Sequence, residues 1–317
     1  MVEKTALVTG GAGFIGSHMV DRLIDDGYSV VVIDNESTGY RDNVHPKAHY
    51  ILGDVTNFDD VENAFSKDIK LVIHIAGQAS TIQSFSEPIP DLQTNVLGTV
   101  NIIQACLRHR VSRLLFASSM TVYGLPENVP VPEANPSIPI SYYGITKYAA
   151  ERYVIATAAR NDLDFEFNAT AFRMFNVYGE RQRLDNPYQG VLGYFIGRAI
   201  NHETIEIHGT GEQTRDFIYI ADVVDAWMTA INNESSFGDV FNLGYGKAIS
   251  INKLVAEVIA AAGKSTKDYP LSSGPRRPGD QEHMTADISK TSRILDWYPR
   301  YPLNVGLEKT IAWAKNQ

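Results

Sequence analysis

The chain has 317 residues, 44% of them hydrophobic and 21% charged, with a formal net charge of −9. That length permits a large core in one composite domain or two, and the negative balance argues against a nucleic-acid binder, which normally carries a basic face. No apolar run approaches the ~18 residues of a membrane span, and a single cysteine, Cys106, rules out an internal disulfide.

The opening residues lead into a strand pattern with no basic-then-apolar leader, and a cytoplasmic location is expected. In the first half, "TALVTG" (5–10), "SVVVID" (29–34), "HYILGD" (49–54), "LVIHIA" (71–76) and "RLLFASS" (113–119) read as strands. Several are apolar nearly throughout, as strands covered on both faces must be. Between the first two, Ile15, Met19 and Leu23, with Val20 and Ile24, fall at helical spacing, and Gly27 stops the helix. Cys106 sits in the helix-like "GTVNIIQACLRH", where packing rather than reactivity is expected. Strand alternating with helix predicts an α/β fold, a doubly wound parallel (Rossmann) sheet.

The second half is less regular. "FEFNATAFRM" reads as a strand after a long helix, and a polar loop (179–190) precedes a helix and "TIEIHG". "FIYIADVVDAWMTAI" and "VFNLG" look like elements returning to the first domain, and the turn-rich "PLSSGPRRPGD" (270–280) leads into the last helices. The expected plan is a Rossmann domain over 1–172 with returning segments at about 216–244. A smaller C-terminal substrate-binding lobe would take 173–215 and 245–317.

"TGGAGFIG" sets Gly10, Gly13 and Gly16 between the first strand and its helix. Glycine there permits a tight turn and lets backbone N–H groups approach a pyrophosphate, so a dinucleotide is expected. Asp34 ends the second strand, where a carboxylate accepts the adenosine ribose hydroxyls and repels a 2′-phosphate. NAD is therefore expected over NADP, with Arg41 the residue that weakens the distinction. Asp54 and Val55, at the end of the third strand, are placed to reach the adenine edge.

"SYYGITK" (141–147) sets two tyrosines ahead of a lysine. Residues four apart share a helix face, so Tyr143 pairs with Lys147, and Tyr142 with Thr146. A tyrosine acting as base near neutrality needs its pKa lowered by about 3 units, or ~4 kcal/mol. A lysine about 5 Å away at an effective dielectric of ~20 supplies roughly 3 kcal/mol, and an oxidised nicotinamide ring adds a second cation. A lowered phenol is expected. Ser118 and Ser119 end the fifth strand on the carboxyl edge, where ligands of open α/β sheets bind.

Together "TGGAGFIGSH", "HIAGQAS", "NVLGT", "FASSMTVYG", "YYGITK", "FRMFNVYG", "GEQTRDFIYI" and "RRPGDQEH" resemble the extended short-chain dehydrogenase/reductases, and within them the UDP-glucose 4-epimerase group of nucleotide-sugar epimerases. The resemblance runs over essentially the whole chain. It implies Tyr143 as catalytic base, Lys147 on the nicotinamide ribose, and Ser119 on the reacting hydroxyl, while Tyr142 packs. The cofactor-binding set it implies is Gly10, Gly13, Phe14, Ile15, Gly16, Asp34, Asn35, Asp54, Val55, Ala76, Gly77 and Asn95, with Tyr143 and Lys147. It further implies that Arg215 and Arg277 clamp the diphosphate of a UDP-sugar and that Asn176 adds a polar contact. Gln189 and the "IEIHG" strand would line the uridine pocket, and Asp280 would reach its ribose. Arg181 and Arg183 stand nearby as further candidates, and Met284 takes the position that sets the width of the sugar pocket.

The reaction implied is reversible oxidation at the sugar C4, rotation of the 4-keto sugar, and return of hydride to the opposite face. Dehydratases of this family carry an acid directly after the serine/threonine position or one residue later; Met120 and Thr121 stand there instead, which favours epimerisation. Decarboxylases usually have glutamate where Thr121 stands. The polar edge around Ser119 and Thr121, with Thr170 and Ser80 in motif order, leaves UDP-glucuronate open beside the UDP-glucose/UDP-galactose and N-acetyl series. A non-catalytic NAD-binding regulator is the more remote alternative. His74 and the other histidines show no ligand spacing joined to carboxylates, so no metal is expected. The resemblance implies a homodimer formed through a helix pair that includes "YYGITKYAAERYV".

Overall fold

A computed structural model describes residues 4–65, 68–186 and 190–317. Six strands lead the chain: β1 (Thr5–Thr9), β2 (Ser29–Asp34), β3 (His49–Leu52), β4 (Ile69–His74), β5 (Arg113–Ser119) and β6 (Asn168–Met174). Among them lie α1 (Phe14–Asp25), α2 (Phe58–Ala64), α3 (Thr81–Ser86), α4 (Pro88–Leu92), α5 (Gly98–Arg108) and α6 (Tyr142–Ala158). Then follow β7 (Asn176–Tyr178), α7 (Val191–Asn201), β8 (Ile205–His208), β9 (Thr214–Tyr219), α8 (Ile220–Ile231) and β10 (Asp239–Leu243). The chain closes with β11 (Ala248–Ser250), α9 (Ile251–Ala261), β12 (Leu271–Gly274), α10 (Ser289–Leu295) and α11 (Leu303–Ala314).

The seven strands of the main sheet run parallel in the order β10-β6-β5-β4-β1-β2-β3, a doubly wound Rossmann sheet. Successive side chains leave a strand on opposite faces, and both faces here are apolar. Leu7, Val31, Ile33, Val72, Leu114 and Phe116 join one core with α2, α5 and α6 residues. Ala6, Val8, Val30, Val32, Ile73 and Leu115 join the other, with α1, α7, α8, α9 and α11 residues. Full coverage explains the uninterrupted apolar runs.

Two small sheets complete the fold, β11-β9-β7 and β12-β8. Within 216–244, β10 pairs with β6 in the main sheet, whereas β9 pairs with β7 and β11. Strand order reverses between β1 and β4, and the carboxyl ends of these strands open the crevice in which such folds bind ligands. β3 ends at Leu52, two residues short of Asp54. Among the described residues no helix is long and apolar enough to cross a membrane.

Candidate functional site

A cavity of about 740 Å³ runs along this crevice, from the turn after β1 to the loop before α10. At one end, Gly10 has φ +71°, and a Cβ there would lie 2.9 Å from the backbone of Ala76. A Cβ on Gly16 would lie 2.0 Å from the Gly10 carbonyl oxygen, so the turn and the first helical residues close on each other only as glycines. Gly13 N-caps α1, and Gly10, Gly13, Phe14, Ile15 and Gly16 all line the cavity. An open helix N-terminus within a backbone cradle fits a pyrophosphate.

Asp34 is buried, accepting from the backbone N–H of Ala12 at 2.9 Å and of Glu36 at 2.8 Å. Burial raises its pKa against those bonds, and its oxygens keep lone pairs for ribose hydroxyls. Asn35 lines the cavity and donates to Asp54 at 2.9 Å. The Asp54 side chain is occupied by Asn35 and the Thr56 N–H, and Gly53 and Val55, not Asp54, line the wall. Asp54 thereby holds Asn35 at the cavity wall. Arg41 stacks 4.0 Å from the Tyr50 ring centroid and does not line the cavity. Ser37 and Thr38 do line it, unforeseen because an ordinary loop composition carries no signal.

At the middle of the crevice Ser119, Thr121, Tyr143 and Lys147 converge with Ala76 and Gly77. Ser141 caps α6 by accepting from the Gly144 N–H at 3.1 Å, which starts the helix and sets Tyr143 and Lys147 one turn apart. Ser119 accepts from the Thr121 N–H at 3.2 Å and hydroxyl at 2.9 Å, leaving its own O–H to donate. The Lys147 ammonium stands 4.5 Å from the Phe116 ring centroid.

The electrostatics differ from the sequence expectation. Burial pushes the Tyr143 phenol up to about 12; the Ser119 hydrogen bond opposes this and the Asp91 charge adds to it. Burial brings Lys147 down to about 8, with Asp91 and then Glu151 opposing. Desolvation dominates at both groups, so the protein's own groups do not lower the phenol.

Asn95 lies in a π-helical turn, Gln93–Leu97, a distortion frequent at functional sites. Its amide nitrogen stands 3.1 Å from each of three acceptors, Gln78 O, Asp91 Oδ1 and Thr146 Oγ1. Its Oδ1 is buried without a hydrogen-bond partner, and a Cβ on Gly77 would stand 2.9 Å from it and 3.7 Å from Lys147 Nζ. Gly77 lines the cavity and packs over this orphaned acceptor, while Asn95 itself stands behind the wall.

At the far end the cavity wall includes Asn176, Arg183, Arg215, Arg277 and Asp280, with Glu206 and His208 of the "IEIHG" strand. Arg215 is buried, ion-paired with Asp280 and bonded to the Thr214 carbonyl at 2.7 Å. Asp280 is thus tied to a guanidinium. Asn176 donates to the Asp216 carbonyl at 3.0 Å, and Arg183 is held by Asp185 at 2.9 Å. Gln189 lies outside the described residues.

Several expectations are corrected. Arg181 pairs with Asp21 at 2.7 Å and does not line the cavity. Met284 is fully buried in a cluster with Met120, Val122, Tyr123 and Phe175; it lies behind the cavity wall and does not line the cavity. Thr170 sits early in β6, at the end opposite the site, bonded to Arg113 at 2.7 Å. Ser80 is buried as the cap of α3, 3.1 Å from the Gln83 N–H. Cys106 is buried as expected, its thiol pushed up by burial. The buried Asp91, joined to Gln78, Asn95 and Thr146, was missed because no local motif surrounds it.

A Rossmann sheet with a glycine cradle, a strand-end carboxylate and a Ser–Tyr–Lys group on one crevice defines a dinucleotide-dependent enzyme of the short-chain dehydrogenase/reductase type. Residues 6–244 match the model of the NAD dependent epimerase/dehydratase family. A putative UDP-glucose 4-epimerase of Methanocaldococcus jannaschii is 37% identical over 98% of each chain. UDP-glucuronic acid decarboxylase 1 of Xenopus tropicalis is 33% identical over 99% of this chain and 73% of its own. The crystal structure of a Thermotoga maritima UDP-glucose 4-epimerase with UDP-glucose superposes with a TM-score of 0.92, at 35% identity over 98% of this chain and 99% of that one. The chain belongs to the NAD dependent epimerase/dehydratase family, and NAD is its cofactor.

Proposed function

We propose that this enzyme inverts C4 of a UDP-hexose, of the UDP-glucose/UDP-galactose type, through a transient 4-keto sugar. The observation that carries the reading is the convergence of Ser119, Tyr143 and Lys147 in the same cavity as Arg215 and Arg277, with Met120 and Thr121 where a dehydratase needs an acid. Two of its relatives, the putative UDP-glucose 4-epimerase of M. jannaschii and the UDP-glucose 4-epimerase of T. maritima, support it.

Tyr143 takes the proton of the 4-hydroxyl and later returns it, and the Ser119 O–H orients the reacting oxygen. NAD, when bound, takes up and gives back the hydride. Burial outweighs the chain's own groups at the Tyr143 phenol, and the bound cofactor would supply further positive charge there. Gly10, Gly13 and Gly16 would hold the pyrophosphate, Asp34 the adenosine ribose, and Lys147 with Asn95 the nicotinamide side. Arg215 and Arg277 would keep the diphosphate fixed while the ketone turns its other face; a guanidinium suits that task because it grips phosphate in two places.

In this reading 1–172 and about 216–244 serve the cofactor, and 173–215 with 245–317 the nucleotide sugar. Tyr142, Ile145 and Tyr153 on α6 are exposed, as are Ile89 and Leu92 on α4. A second copy covering that apolar face makes the homodimer. A cytoplasmic setting accords with the lone buried thiol.

The test is C4 inversion followed by NMR with UDP-glucose, UDP-N-acetylglucosamine and UDP-glucuronate, each with its C4 epimer. Fastest turnover of the first pair is expected, with Tyr143→Phe slower by at least ~10²-fold. Dominant inversion of the glucuronate or N-acetyl pair reassigns the substrate. Loss of carbon dioxide or water makes the enzyme a decarboxylase or dehydratase. Silence across the panel with NAD retained makes it a regulator.

A further inference from the structure

Asp91 has no solvent exposure, and the chemistry above gives it no task. It stands on α4, but its hydrogen bonds come from three other segments. Gln78, after β4, donates to Oδ1 at 2.8 Å; Asn95, in the π-helical turn, donates to Oδ1 at 3.1 Å; Thr146, on α6, donates to Oδ2 at 2.7 Å. All three donors are neutral. Among the described residues no cationic nitrogen forms an ion pair with Asp91 at contact distance, although burying an unpaired carboxylate is costly.

Thr146 directly precedes Lys147, so the second bond fixes the carboxylate beside the lysine's own turn. The other groups around Lys147 are already engaged. Glu151, one turn further on α6, is taken by Arg173 of β6 at 2.6 Å. His74 of β4 is buried and kept neutral, between Thr9 at 2.7 Å and Thr99 at 3.0 Å. Phe116 of β5 offers only its ring face, and Tyr143 is a protonated phenol. Asp91 is the carboxylate left over. Its charge favours the protonated form of Lys147 and disfavours the ionised form of Tyr143.

We propose that Asp91 is the counter-charge of Lys147: a positioning residue that keeps the ammonium protonated at the active site and sets the pH range of the reaction. Gln78, Asn95 and Thr146 are its mounting, which explains why a loop, a π-helical turn and α6 meet on one buried carboxylate. The effect on pH–rate behaviour rests on the function proposed above; the effect on Lys147 itself does not.

The test combines Asp91→Asn, which removes the charge and keeps the shape, with Thr146→Val, which removes one donor and keeps the charge. Lys147 is titrated in the holoenzyme by NMR of 13Cε-labelled lysine, assigned through Lys147→Met. In the parent protein Lys147 is expected to titrate below its ordinary value of 10.5. In Asp91→Asn it should titrate lower by about one pH unit, and both limbs of the kcat/KM profile should move to lower pH, because both partners lose the same negative neighbour. Thr146→Val should lower kcat without moving the lysine titration. An unchanged titration in Asp91→Asn overturns the proposal, whatever happens to the rate. If that variant does not fold, the parent decides: a Lys147 already neutral at pH 7 overturns the proposal, and one protonated to pH 8 upholds it. An Asp91-dependent lysine shift in a protein that inverts no UDP-sugar keeps this inference and discards the function.

Discussion

Arg173 and Glu151 meet through two parallel contacts in the protein interior, 2.6 Å from Nη2 to Oε1 and 2.9 Å from Nε to Oε2. Ser118 adds a hydrogen bond to the same carboxylate at 2.6 Å, and the Tyr123 ring lies 4.7 Å from the guanidinium. The pair thus ties β5, β6 and α6 together directly behind Ser119 and one turn beyond Lys147. Glu151→Ala leaves a buried guanidinium without its partner and should cost about 3–5 kcal/mol. Urea unfolding measures this, and the added substitution Arg173→Met should recover part of the loss. A single-variant loss below ~1 kcal/mol would show the pair to be solvated in solution.

Gly16→Ala ought to stabilise a helix by up to ~1 kcal/mol on propensity alone. Here the new Cβ would meet the Gly10 carbonyl at 2.0 Å, backbone against backbone. The variant should therefore unfold at lower temperature and purify with little bound NAD. Gly13→Ala, whose Cβ would stand 3.2 Å from the same oxygen, should be the milder of the two. Equal NAD content in both proteins would refute the cradle.

Arg215→Ala should raise KM for the UDP-sugar at least ~10-fold, since bonds to charged groups are worth about 1.5–3 kcal/mol, and leave the NAD content unchanged. Arg215→Lys should restore little of the loss, because an ammonium lacks the planar fork that both Asp280 and a diphosphate can engage. Normal KM in the alanine variant would remove Arg215 from the substrate site.

His74 carries a pH dependence of stability. Burial pushes its pKa down to about 3, and the Lys147 charge adds to that. Unfolded, the imidazole binds a proton below its ordinary value of 6.5. Between those values the unfolded state holds more protons than the folded one, so stability falls as pH drops through the window and is unaffected above it. The slope approaches about 1.4 kcal/mol per pH unit. Urea midpoints at pH 7 and pH 5 should differ more in the parent protein than in His74→Gln, after correction for the variant's own loss. Equal differences would place the charge elsewhere.

Local order carried much of this protein into plain view. The turn at Gly10–Gly16, the carboxylate at the end of β2, Ser119 at the end of β5, and Tyr143 one turn before Lys147 all depend on neighbours within a few residues. Periodicity and glycine spacing record such relationships directly. The buried runs revealed the parallel sheet because strands covered on both faces have no polar side to show.

Residues distant in the chain told a different story. Met284 looked like a wall of the sugar pocket and is core; Thr170 lay near the motifs and stands at the opposite end of its strand. Asp280 answers Arg215 across 65 positions, and Asp91 answers Thr146 across 55. The phenol of Tyr143 rises instead of falling, because desolvation sums over everything packed around it, and only the folded chain assembles that surrounding. Spacing along a helix names the partners; the burial they share decides their charge.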